Sequence, residues 1–435
     1  MRIAVIGSGI SGLASAWLLN RQHQVTLFEA DSRFGGHTYT VDIQHEGIRA
    51  PVDTGFLVCN DWTYPNLLGL FAELGIETVP SNMSFSVRLS ELGLEWSGTN
   101  LNSLFAQRRN LSRPAFYGML RDILRFNRDA KAWLQKSTED VRLGQFLERG
   151  GYGDWLREAY LLPMAAAIWS CPVRQMEEYP ARSFLQFCHN HGLLNVLRRP
   201  QWRTVRGGGR IYVERILREL PDVRLNHPVQ RLEPIGNGIR VHSSKGTEDF
   251  DRVISAVHSD QAAALLSDNW QRQRQALQAI RYQPNRAILH RDRSFLPTRR
   301  AAWSAWNFHR ENTGNSDASV AVSYLINRLQ PLPFRDPVIV TLNPEREPDP
   351  SLVWKEISYA HPVFDAAALQ AQGTLRELQG DAGLLFAGAW LGHGFHEDGM
   401  RSAMAVANAL GIRAPWQVEN AQREEGRALC PQNAI

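Results

Sequence analysis

Met1-Arg2-Ile3-Ala4-Val5-Ile6-Gly7-Ser8-Gly9-Ile10-Ser11-Gly12-Leu13-Ala14 is the stretch on which the fold turns. Arg2 to Ile6 is a short apolar run, three glycines follow at once, and Leu13, Ala14, Trp17 and Leu18 then recur at helical spacing. A strand, a tight turn and a helix are therefore predicted in that order. Gly7 permits the turn, Gly9 lets a pyrophosphate approach the backbone, and Gly12 lets helix and strand pack closely. The phosphates would sit at the helix N-terminus, at Ile10 and Ser11, where free N–H groups and the helix dipole favour negative charge. A second strand, Gln24 to Glu29, ends in an acid 17 residues after Gly12. A carboxylate there holds both ribose hydroxyls of an adenosine and repels a 2′-phosphate.

The next segment, Glu29-Ala30-Asp31-Ser32-Arg33-Phe34-Gly35-Gly36-His37, resembles the signature that follows the second strand in the superfamily of flavin amine oxidases, phytoene desaturases and protoporphyrinogen oxidases. The resemblance implies that FAD is the dinucleotide. It implies that Arg33 fixes the loop, that Gly35 and Gly36 pass against the phosphate and ribityl portion, and that Ala30 and His37 lie at the cofactor. Asp53-Thr54-Gly55-Phe56, after the strand Ile48 to Val52, is similar to the family's segment beneath the flavin ring, which makes Gly55 and Phe56 contacts.

Near the other end, Leu384 to Gly388 reads as a buried strand ending in glycine, and a glycine-rich turn, Ala389 to Gly399, precedes a small-residue helix, Met400 to Leu410. Phe386-Ala387-Gly388 with His393-Gly394-Phe395-His396-Glu397-Asp398-Gly399 resembles the superfamily's second FAD motif. Gly388, Phe395, His396 and Glu397 are thereby implied at the flavin pyrimidine edge and the ribityl phosphate. His227-Pro228-Val229-Gln230-Arg231 and Asp251 to Ala256 are similar to the central strands, with Val229 contacting adenine through its backbone.

Two motifs about 350 residues apart that serve one cofactor imply a discontinuous domain. The expected fold is α/β: a discontinuous Rossmann-like FAD-binding domain over residues 1–80, 201–260 and 355–412, and an inserted α+β substrate domain over 81–200 and 261–354. The tail from Arg413 to Ile435 lacks apolar periodicity and reads as a loose extension. Arg206-Gly207-Gly208-Gly209-Arg210 lacks the spacing of a second dinucleotide turn, so no nicotinamide site is predicted, and electrons would leave to oxygen, a quinone or a protein.

Pro163 to Ser170, Trp303 to Asn307, Thr341 to Pro344 and Tyr359 to Phe364 narrow the resemblance to a bacterial group of NAD/FAD-binding proteins. That group is associated with cyclopropane-fatty-acid-synthase-like methyltransferases, which implies a fatty acyl chain of a lipid as substrate and a lipid methyltransferase as partner. The chain also departs from the amine oxidases. Arg286 stands where their strand carries lysine, Ala389 where an acid follows Phe-Ala-Gly, and Phe395 where an aromatic cage has its second tyrosine. An amine substrate is disfavoured on these grounds. No cysteine adjoins the closing motif, so FAD is expected to be non-covalent.

Composition agrees with a globular chain: 435 residues, 43% hydrophobic, 21% charged, net charge +4. Four scattered cysteines form neither a disulfide framework nor a zinc knuckle. Only four of 48 basic residues are lysines, and no basic stripe of a nucleic-acid module is present. No apolar run is long enough to span a bilayer, and the N-terminal strand leads directly into the glycine turn, so a cytoplasmic address is expected. Phe116, Met119, Leu120, Ile123, Phe126, Ala130 and Trp133 form a helical apolar stripe with Arg121, Arg125, Arg128 and Lys131 off it. It reads either as a core-packed helix or as peripheral contact with the inner membrane face.

His396 is the candidate catalytic residue, since an imidazole at the flavin edge can stabilise reduced-flavin charge or move a proton. His393, His396 and Glu397 have metal-like spacing without a further ligand, and no metal is predicted. His361 and Tyr359 are candidates for the pocket, whereas His189 and His191 read as a solvated helix end. The expected function is FAD-dependent hydride removal from an apolar substrate, with an amine oxidase and a flavin-binding support subunit as alternatives.

Overall fold

Strand Arg2–Ile6 is buried along nearly its whole length, and so is Gln24–Phe28 beside it, which is what unbroken apolar runs become when a parallel sheet is covered on both faces. In the computed structural model, which describes residues 1–139, 141–169, 176–310 and 321–418, these two strands sit inside a five-stranded parallel sheet. Its order is Asp222–Arg224, Gln24–Phe28, Arg2–Ile6, Arg252–Ser255 and Leu384–Phe386. The sheet is thus assembled from widely separated stretches of chain. On one face the antiparallel meander Val229–Ile235, Gly238–Ser243 and Gly246–Phe250 packs Leu232, Ile239, Val241 and Phe250 against Ala4, Ile6, Phe28 and Val253. On the other lie the helices Ile10–Leu19, Arg210–Glu219 and His396–Ala409.

A second, seven-stranded mixed sheet runs in the order Val353–Pro362, Tyr282–His290, Ile339–Leu342, Ala321–Leu325, Trp306–Arg310, Phe85–Leu89 and Leu94–Ser97. Its apolar side chains share one core with the helices Pro114–Lys136, Leu143–Arg149, Leu162–Trp169 and Ala181–Asn190. The stripe on Pro114–Lys136 faces this core: Phe116, Met119, Phe126 and Ala130 are buried. Those residues therefore meet protein and leave a different face of the helix outside. Among the described residues, no helix is long and apolar enough to cross a membrane.

Three local expectations need correction. The closing helix begins at His396, four residues before Met400, because the Asp398 carboxylate accepts the Phe395 N–H at 3.1 Å and caps the turn. The chain does not loosen at Arg413: Ala414 is buried, and Trp416 stacks on Trp17 at 6.4 Å and donates to Asn66 Oδ1. The remainder of the tail, 419–435, lies outside the described residues, as do Ser170, Cys171 and Cys430, while Cys59 and Cys188 are buried free thiols. His191 is no solvated helix end either, for its ring stacks on Phe187 at 3.9 Å, whereas His189 is exposed.

Candidate active site

The glycine turn is built as its spacing requires. Gly7 has φ +98°, which only glycine adopts freely, and its N–H donates to Phe28 O at 2.8 Å, joining the first two strands. A Cβ on Gly12 would lie 1.8 Å from Gly7 O, so the helix can approach the turn only without a side chain there. A Cβ on Gly9, at the helix N-cap, would meet nothing within 4 Å. That is the open approach a pyrophosphate needs.

The other predicted residues assemble around this point. Glu29 accepts the N–H and hydroxyl of Ser8 on one oxygen and the Asp31 N–H on the other. Gly35 donates to Ser8 O, and Gly36, at φ +55°, lies so close that a Cβ on it would be 3.0 Å from Gly9 Cα. Ala30 is exposed at the strand end. Val229 follows His227, whose N–H donates to Glu29 O, which brings this segment beside the end of the second strand. Gly55 abuts His37: a Cβ on it would be 2.1 Å from His37 O and 3.1 Å from the Tyr359 hydroxyl. Gly388 is fixed by the Ser402 hydroxyl, which accepts its N–H. The two glycine turns converge, since a Cβ on Gly399 would touch Ile10 Cγ2 and Ser11 Oγ within 2.8 Å. Two helix N-termini therefore point into one region. Two buried polar atoms there, Arg33 Nη1 and His37 Nε2, have no hydrogen-bond partner among the described residues. The unpaired Arg33 guanidinium nitrogen and two helix N-termini suit the phosphates of a dinucleotide.

His396 stacks on Phe56 at 3.8 Å, and its Nε2 is 3.0 Å from Thr38 Oγ1 and 3.3 Å from the Tyr212 hydroxyl. Thr38 and Tyr212 are themselves hydrogen-bonded. Burial pushes the His396 pKa down to about 3, so the ring is neutral near pH 7. Below this group lies Asp53, whose carboxylate accepts from Thr40, from the Gly209 N–H and from the Gln330 amide, while burial raises its pKa to about 6. His37, His258, His361 and Tyr359 form a second aromatic group, with His37 5.0 Å from Tyr359, 5.5 Å from His361 and 5.7 Å from His258. Burial lowers all three histidine pKa values, that of His361 to about 4.

Some expected roles are redirected. Glu397 turns away from the glycine turns to the N-terminus of helix Pro65–Glu73, accepting from the N–H groups of Asn66 and Leu67 and the Asn66 amide. With His396 engaged at Thr38, the spacing of His393, His396 and Glu397 does not gather into one ligand set. Arg286 projects outward to Glu347 and Glu356, and strand alternation gives the buried position to Asn285, which accepts from the Asn343 amide. Phe395 lies 5.0 Å from Phe187, stacked, and Phe187 in turn meets Trp169 and His191. Sequence reading missed Thr38 and Tyr212 as parts of the site, and it took in Asp53 only as the first residue of the segment Asp53 to Phe56. The glycines Gly207 to Gly209 opening helix Arg210–Glu219 were the available signal, since they let that helix abut Asp53.

A parallel sheet with two converging glycine turns and an inserted mixed sheet defines a dinucleotide-binding oxidoreductase fold. The chain belongs to the flavin containing amine oxidoreductase family, which it matches over residues 10–338. FAD is its cofactor. A Mycobacterium tuberculosis protein named as a flavin-containing monoamine oxidase is 27% identical over 281 residues, 61% of this chain and 59% of that protein. The chain thus spans less than two thirds of that relative's length. Among solved structures, cyclohexylamine oxidase from Brevibacterium oxydans superposes with TM-score 0.66 at 17% identity, covering 94% of this chain and 99% of that one. A CLA-producing fatty acid isomerase from P. acnes gives TM-score 0.65 at 14% identity, covering 94% of this chain and 98% of that one.

Proposed function

We propose that the chain is an FAD-dependent oxidoreductase that removes hydride from an apolar substrate, a fatty acyl chain of a lipid. One observation carries the reading. The surface beside the start of the closing helix is a wall of packed rings, Trp169, Phe187, His191 and Phe395, and burial keeps His191 neutral by lowering its pKa to about 4. Such a wall receives hydrocarbon.

FAD, when bound, supplies the acceptor for the hydride. The chain's own contribution is to fix the cofactor at the two glycine turns, to align a C–H bond along the aromatic wall, and to exclude water from it. His396 remains uncharged at neutral pH, so its part is that of a neutral hydrogen-bonding link to Thr38 and Tyr212. Amine oxidation is the second reading, favoured by the family and by the monoamine oxidase relative. Against it stands Arg286, the residue where those oxidases carry lysine, whose guanidinium turns outward to Glu347 and Glu356. The shared fold does not decide between them, since it also houses a fatty acid isomerase.

The test is the visible spectrum of the purified protein, followed anaerobically as bacterial phospholipid and, separately, a polyamine is added. Bleaching by phospholipid is expected. Bleaching by polyamine alone would establish the second reading, and a bound flavin that neither reduces would favour a non-catalytic subunit supporting a lipid-modifying methyltransferase.

A further inference from the structure

Between His191 and Trp202 the chain leaves the aromatic wall and returns to it. The two rings are stacked 6.2 Å apart, and the neck between them is closed by Gly192, at φ +68°, against Pro200. The tip of this loop carries Val196 and Leu197, which are 60% and 80% exposed. Arg198 and Arg199 follow, both exposed.

The loop is held to the long helix Pro114–Lys136 by Lys131 Nζ, which donates to Asn195 Oδ1 at 2.6 Å, and closed on itself by Arg199 Nε, which donates to Asn195 O at 2.8 Å. From Lys131 an outward stripe runs back along that helix through Arg128, Leu124, Arg121 and Tyr117, and Leu124 is 59% exposed. At the other foot Trp62 is 47% exposed and packs beside Gly192. Asp61 at the same neck is occupied by the Gln201 N–H, and Asp129 pairs with Arg128.

Large apolar side chains this exposed, ringed by cations and joined through two stacked rings to an apolar wall, match the physical layers of an anionic bilayer. Leucine and valine suit the acyl boundary, tryptophan the headgroup level, and arginine and lysine the phosphates. We propose that loop 191–202, with Trp62 and the outer stripe of helix Pro114–Lys136, docks the protein on an anionic lipid surface and delivers an acyl chain past His191 and Trp202 to the aromatic wall. The delivery half rests on the reading given above; the docking half does not.

The experiment uses the flavin-loaded full chain and vesicles of phosphatidylcholine, with and without phosphatidylglycerol, sedimented at low and high salt. Co-sedimentation with the anionic vesicles is expected, weakening as salt screens the cations. The double substitution Val196→Glu/Leu197→Glu should weaken it by roughly tenfold or more, and Leu124→Glu should weaken it too, with flavin content and visible spectrum unchanged. Equal binding of wild type and both variants, or no binding to anionic vesicles at low salt, would overturn the docking. Vesicle binding without flavin bleaching would instead remove the lipid-oxidation reading and leave the docking surface standing.

Discussion

A side chain at Gly9 and a side chain at Gly12 would meet opposite fates, although the two glycines lie three residues apart. At Gly9 the added carbon points into open space and the backbone is extended, at φ −65° and ψ 177°, which valine tolerates. Gly9→Val should therefore fold as the wild type does, yet purify without flavin, because the pyrophosphate loses its approach. Gly12→Ala places a methyl group against Gly7 O and should lower stability by about 3 kcal/mol or more. Urea unfolding and the visible spectrum separate the two outcomes, and normal flavin content in folded Gly9→Val would contradict the site. These roles were legible because turn, strand and helix are adjacent in the chain. Thr38 and Tyr212 were not, for they meet His396 across 358 and 184 residues and carry no motif. The direction of Arg286 was not legible either: alternation along its strand sends it to solvent and turns Asn285 inward.

The closing helix His396–Ala409 does two jobs with successive residues at its first turn: His396 faces Thr38 and Phe56, while Glu397 supports helix Pro65–Glu73. A helix N-terminus leaves unpaired N–H groups, and a carboxylate there satisfies them and complements the dipole. Asn66 and Leu67 are two such groups, and Glu397 accepts both. Glu397→Gln leaves one acceptor oxygen and removes the charge, so it should cost about 1–2 kcal/mol in urea unfolding. An unchanged midpoint would mean that water or Asn66 itself replaces the carboxylate. At this scale sequence pattern worked well for helices with a strong apolar stripe, and Pro114–Lys136 was read correctly as amphipathic. Pattern could not tell which faces meet. The stripe turned inward to the core, and the outward face acquired its meaning only when loop 191–202 was found against Lys131.

Burial lowers the pKa of several histidines across the molecule: His191, His290 and His361 to about 4, His396 to about 3, and His37 and His258 below the ordinary 6.5. Unfolding returns them to water, where they take up protons below pH 6.5. Their contribution to stability is complete above that value and is lost as pH falls through the folded pKa values, at about 1.4 kcal/mol per pH unit for each histidine in the window. Asp53 works in the opposite sense. Its carboxyl, raised from 3.8 to about 6, keeps a proton in the folded state that the unfolded chain releases. Its contribution is therefore present below pH 3.8 and is lost as pH rises through 6, so between about pH 4 and 6 it offsets one histidine. Stability measured by urea titration from pH 6.5 to 4.5 should fall, and Asp53→Asn, which removes the offset, should steepen the fall by about 1.4 kcal/mol per pH unit. A slope unchanged by Asp53→Asn would show that the Asp53 carboxylate stays ionised when buried, held by Thr40, Gly209 and Gln330 alone.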